Sequence, residues 1–133
     1  MRRAIVLVPL ALLAAACGAR SNTPFTAQAS VGCLKGKHFT GVTTDPGKVG
    51  FIAGFAANGG IRATAPGGNV VTIAFTEDAD HTGQTQKAFR LHAPPSLRPH
   101  MSDVLRTSRN AVIVWTTAPS TDVEQTVEGC LAS

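Results

Sequence analysis

Ile61-Arg-Ala-Thr-Ala65, Pro66-Gly67-Gly68 and Asn69-Val-Val-Thr-Ile-Ala-Phe-Thr76 read as two strands joined by a tight turn. The proline and glycines supply turn backbone that few other residues accept, and β-branched and aromatic residues suit the pleated surface on either side. Successive strand side chains alternate between faces. Val71, Ile73 and Phe75 therefore share one face, and Val70, Thr72, Ala74 and Thr76 form a smaller, more polar one.

Working outward, Asn110–Thr117 (Asn-Ala-Val-Ile-Val-Trp-Thr-Thr) is the most strand-like run in the chain, and Phe39–Thr43 is a shorter candidate. Asp45-Pro46 places an N-cap before a proline preset for the first helical turn. Val49, Ile52, Ala53 and Ala56 follow at helical spacing, and Asn58-Gly59-Gly60 supplies a stop. A rival reading makes 50–57 a strand and Asn58-Gly59 a hairpin turn; the paired start and stop favour helix. Glu77-Asp78-Ala79-Asp80 opens a second helix running to about Leu91, which Ala93-Pro94-Pro95 ends. Residues 93–109 form a long connection with a helical turn around Ser102–Arg106. Thr26–Lys35 and a segment after Pro119-Ser120, with Val123, Val127, Cys130 and Leu131 on one side, read as terminal helices.

The order is helix, then β-α-β-β-α-β, then helix. This predicts an α+β fold whose six central elements follow the ferredoxin-like split β-α-β pattern, a two-layer sandwich with extra N- and C-terminal helices.

The N-terminus carries a different signal. Arg2 and Arg3 precede the apolar run Ala4–Ala16, and Cys17 follows the small residues Ala14-Ala15-Ala16. The run is short of the roughly 20 residues a membrane-spanning helix needs. A basic start, short apolar core and small residues before a cut site mark a secretory signal. With the cysteine placed there, the segment resembles a bacterial lipoprotein signal peptide. Ala14 stands where the most typical motif has leucine, with Leu13 one step earlier. The resemblance covers the signal region alone. It implies cleavage before Cys17, a diacylglyceryl group on its thiol, and an exported protein held at the bacterial cell membrane through that lipid. Residues 1–16 are then signal peptide, 17–24 a lipidated tether, and 25–133 a single α+β domain.

Three cysteines would leave an odd thiol in an exported protein. If Cys17 takes lipid, Cys33 and Cys130 remain as a pair in an oxidising compartment, near opposite ends of the mature chain. A redox or metal role for that pair has no C-x-x-C or Cys/His spacing behind it. Cleavage also removes Arg2 and Arg3, so the twelve basic residues become ten against eight acidic ones, a net charge of +2. So weak a charge gives no reason to expect nucleic acid as a partner.

The sequence carries no G-x-S-x-G, H-E-x-x-H, P-loop or G-x-G-x-x-G signature, and no cofactor is expected. Glu77, Asp78, Asp80 and His81 are the densest group of candidate metal ligands. Consecutive residues splay outward, so a capped helix start explains them better. Arg90, His92, Arg98, His100, Arg106 and Arg109 face one acid, Asp103, within the same stretch. Of these, Arg98, His100, Arg106 and Arg109 are candidate contacts for a partner or anionic headgroups, against the plainer reading of a solvated loop. Trp115, the only tryptophan, is a core residue if its face is covered and a partner contact if it is open. The leading functional expectation is a non-enzymatic binding or structural domain at the envelope, with an envelope protein as a candidate partner. A small-solute or metal-binding module is one alternative, and an enzyme whose residues meet only in three dimensions is another.

Overall fold

The computed structural model describes residues 23–133, and the 61–76 hairpin sits at its centre. In chain order the elements are helix α1 (Ala27–Gly36), strand β1 (Thr40–Thr43), helices α2 (Pro46–Val49) and α3 (Phe51–Gly54), strands β2 (Gly60–Thr64) and β3 (Val70–Phe75), helices α4 (Thr82–His92) and α5 (Met101–Val104), strands β4 (Leu105–Ser108) and β5 (Ala111–Trp115), and helix α6 (Thr121–Cys130). Single 3₁₀ turns at Ala79–His81 and Arg98–His100 lead into α4 and α5.

The strands form one antiparallel sheet in the order β1-β2-β3-β5-β4. Ile61, Ile73 and Ile113 stand opposite one another across three strands, as do Ala63, Val71 and Trp115. All six are buried. Burying each isoleucine stabilises the fold by roughly 1.5–3 kcal/mol. The second face carries Ala74 opposite Val112 and Thr72 opposite Val114.

Helices cover both faces. On the first, Arg106 stands opposite Ile113 and its Nε donates to Glu124 of α6 at 2.8 Å. The Cys33–Cys130 disulfide joins α1 to α6 and closes a sequence separation of 97. On the second, α3 lies against β2 and β3 so closely that a Cβ on Gly60 would sit 2.3 Å from the Ala53 carbonyl oxygen. Only glycine fits there.

The α+β class and the antiparallel sheet agree with the sequence reading. The ferredoxin-like order does not, and neither does the two-layer arrangement. Two local causes account for this. Gly50, at φ 105, breaks the expected 46–57 helix into two single turns, α2 and α3. The connection is then an excursion rather than a crossover helix, and β1 returns beside β2 at the sheet edge. The second cause is β4, a strand within the segment read as a connection, which takes the edge beyond β5.

Asn110 closes the fold at the end where the chain enters. It is 2 % exposed. Its Oδ1 accepts from Phe25 N at 2.8 Å, and its Nδ2 donates to Phe25 O at 2.9 Å and Thr76 O at 2.8 Å. Nearby, Thr26 N donates to Ala132 O, and Ala132 N donates to Ser30 Oγ. Entry segment, sheet end and C-terminus are thus tied together by satisfied polar groups around buried Asn110 and Ser30.

Candidate functional site

The most unusual surface lies on the flank formed by α3 and α4. Asp45 caps α2 by accepting from Gly47 N at 3.0 Å, and the Gly50 break turns the chain into α3. Val49 and Ala53 point inward and are buried. Phe51 and Phe55, four apart, point outward at 79 % and 77 % exposure, with ring centroids 5.3 Å apart. Beside them runs a shallow groove of about 450 Å³, walled by Val49, Phe51 and Ile52 on one side and Phe89 and His92 on the other, with Thr72 on its floor. Among the described residues no carboxylate lines it. Exposed Lys48 adjoins Val49 on α2, and exposed Arg62 stands opposite Thr72. The site is therefore apolar, with a margin in which Lys48 and Arg62 outnumber the cap Asp45, and an exposed aromatic pair of this kind marks contact surfaces. Sequence reasoning missed it. The signal was present, since Phe51 and Phe55 fall opposite the Val49-Ile52-Ala53-Ala56 stripe on a helical projection.

The acidic group has a local task. Asp78 Oδ1 accepts from Asp80 N at 2.9 Å, His81 N at 3.1 Å and His81 Nδ1 at 2.6 Å, so it caps the 3₁₀ turn before α4. Glu77 stands 3.8 Å from His81 Nε2. The side-chain bond to His81 holds the Asp78 carboxyl below its usual value, and the same bond holds the His81 imidazole above its own. Among the described residues, no three of His, Cys, Asp or Glu are placed to hold a metal ion. The group lines one side of an open depression of about 530 Å³, with Arg109, Asn110 and Pro24 across from it.

The basic segment does not form one surface. Arg98 Nε donates to Ala93 O at 3.0 Å, and His100 lies 3.6 Å from Asp103. Arg106 reaches across the first sheet face to Glu124 and also donates to Ser102 O and Leu105 O. Arg109, at the β4–β5 turn, stacks over Phe25 and donates to Thr23 O at the opposite end of the sheet from Arg98. Trp115 is 1 % exposed, in the core beneath the terminal helices, and so offers nothing to a partner. Its buried Nε1 has no hydrogen-bond partner among the described residues. Cys17 lies outside the described residues.

Together these features define a disulfide-stapled α+β domain with an apolar, basic-margined flank. Comparison with known proteins finds no matching family, no similar curated protein and no similar solved structure.

Proposed function

We propose that this chain is an exported lipoprotein, cleaved before Cys17 and lipidated there, whose folded part performs no covalent chemistry and holds its α3–α4 flank against another component of the bacterial cell envelope. The exposed Phe51–Phe55 pair carries this reading. Two outward phenylalanines leave a large apolar area in water, and cover would offset that cost. The basic start, Ala4–Ala16 and Cys17 support the anchor. The Cys33–Cys130 disulfide agrees with folding in an oxidising compartment. No helix among the described residues is long and apolar enough to cross a membrane, so attachment in this reading comes from lipid on Cys17. A thioether-linked diacylglyceryl group supplies the two acyl chains that stable anchoring requires.

The test has two arms. Labelled palmitate should enter the wild type and not Cys17→Ala; equal labelling of both would end the anchor reading. A photo-crosslinker at position 55, activated in the protein's own membranes, should give adducts that a crosslinker at exposed Gln125 on α6 does not. Identical patterns from the two positions would remove the flank from the function.

A further inference from the structure

We infer that the component covering the α3–α4 flank is the bilayer itself: Phe51 and Phe55 enter the membrane interface while Lys48, Arg62 and His92 meet anionic headgroups. This deepens the reading above and rests on lipid at Cys17. Three observations lead to it.

The first is reach. From Cys17 to Thr23 the chain has six steps, which fully extended span roughly 20 Å. A domain on so short a lead stays within its own width of the bilayer, so some part of its surface meets lipid continually. The second is placement. The chain enters the fold where Ala27 N donates to Asn58 O, and Asn58 follows Phe55 by three residues. The aromatic pair is therefore on the flank adjoining the tethered end. The third is charge. The tethered end itself presents Glu77, Asp78 and Asp80 against the single cation Arg109, so its carboxylates are in excess and anionic headgroups disfavour contact through that end. Tilting onto the α3 side replaces that acidic excess with an apolar pair and a margin in which Lys48, Arg62 and His92 outnumber Asp45. Interfacial segments share this composition, with apolar rings at the headgroup level and basic residues around them. Anchor and flank then act as two linked contacts, in which the first raises the effective concentration of the second.

The experiment uses the full lipidated chain in vesicles of phosphatidylcholine and phosphatidylglycerol, prepared with and without brominated acyl chains. Wild-type emission comes from buried Trp115 alone and serves as the unquenched baseline. Phe55→Trp adds a second emitter on the flank. Docking predicts that brominated vesicles remove the added emission, and that Phe51→Asp in the same chain restores it. An added emission that stays unquenched while the chain floats with the vesicles overturns the proposal. So does an added emission that is blue-shifted, unquenched and dependent on protein density, because a second copy would then be covering the flank. Anchoring is read separately, by fatty-acid label and flotation. A labelled, floating but unquenched chain keeps the anchor and sinks the docking. A chain without label whose added emission is still quenched does the reverse.

Discussion

Replacing both Cys33 and Cys130 with alanine should cost about 5 kcal/mol of stability. The magnitude follows from the loop. The disulfide closes a sequence separation of 97, and cross-linking a loop of that size removes unfolded-chain entropy equivalent to about 4.7 kcal/mol. Cys130 is buried, so trimming its sulfur forfeits roughly another 0.8 kcal/mol of apolar burial, whereas exposed Cys33 adds little. Thr26–Ala132 and Ser30–Ala132 hydrogen bonds still join the two ends in the variant, so the native contacts survive and the loss falls on the unfolded side of the balance. Against a total of about 5–15 kcal/mol for a domain this size, the fold becomes marginal. The assay is equilibrium urea unfolding followed by Trp115 emission, with dithiothreitol added in parallel. With a slope of about 1–3 kcal/mol per molar, the midpoint should fall by roughly 2–5 M. The slope should rise, because an uncrosslinked unfolded chain exposes more surface. Reductant should bring the wild type down to within about 1 kcal/mol of the variant and leave the variant unmoved. A loss under about 1 kcal/mol would refute the reasoning, since the ends would then be held by their packing and the crosslink would constrain nothing.

Asn110→Ala strands Phe25 N and Phe25 O and leaves Thr76 O to Asn58 Nδ2 alone, and should destabilise by about 2–3 kcal/mol in the same unfolding assay. Gly60→Ala drives a methyl to 2.3 Å from the Ala53 carbonyl oxygen and should cost about 3 kcal/mol, whereas Gly129→Ala in α6 meets nothing and should add up to about 1 kcal/mol; equal effects would contradict the packing of α3 on β2. The Asp78–His81 pair should give a pH window. His81 is raised above 6.5 by Asp78, so its contribution is complete below that pH and is lost as pH climbs through the raised value. Asp78 is lowered below 3.8 by His81, so its contribution is present above that pH and is lost as pH falls through the lowered value. The pair is whole between those limits, and NMR titration of His81 in Asp78→Asn should show its midpoint drop back towards 6.5.

Legibility in the sequence followed the strength of the local signal. The 61–76 hairpin, the 110–117 strand and both terminal helices were readable because turn residues, alternation and caps agreed within each. The Cys33–Cys130 pairing followed from assigning Cys17 elsewhere. β4 was hidden because Leu105-Arg106-Thr107-Ser108 has one apolar residue, and because its turn into β5 puts Arg109, not glycine, at φ 51. Gly50 was the costlier miss. A stripe at helical spacing survives as the inward side of two separate turns, so periodicity alone could not distinguish one helix from two. The flank was not legible because Phe51 and Phe55 lie inside a stretch whose cap, stop and apolar stripe together read as one core helix.

The Gly50 break also decides what the surface can do. A continuous 46–57 helix crossing over the sheet would have placed β1 beside β3 and displaced β5, as the ferredoxin-like order requires. Two single turns instead keep this segment beside β2 and β3, tied at Gly60 and near the entry point of the chain. The same end is fastened by Asn110 and by the Thr26–Ala132 bond, which tie the segment before α1 to the sheet and to the C-terminal segment. The polar ties are concentrated where the described chain enters the fold, at Phe25 and Thr26, and the uncovered apolar pair lies on the adjoining flank. That division suits the proposed arrangement, a domain anchored at one point and resting on its side, in which rigidity at the entry end would aim the aromatic pair.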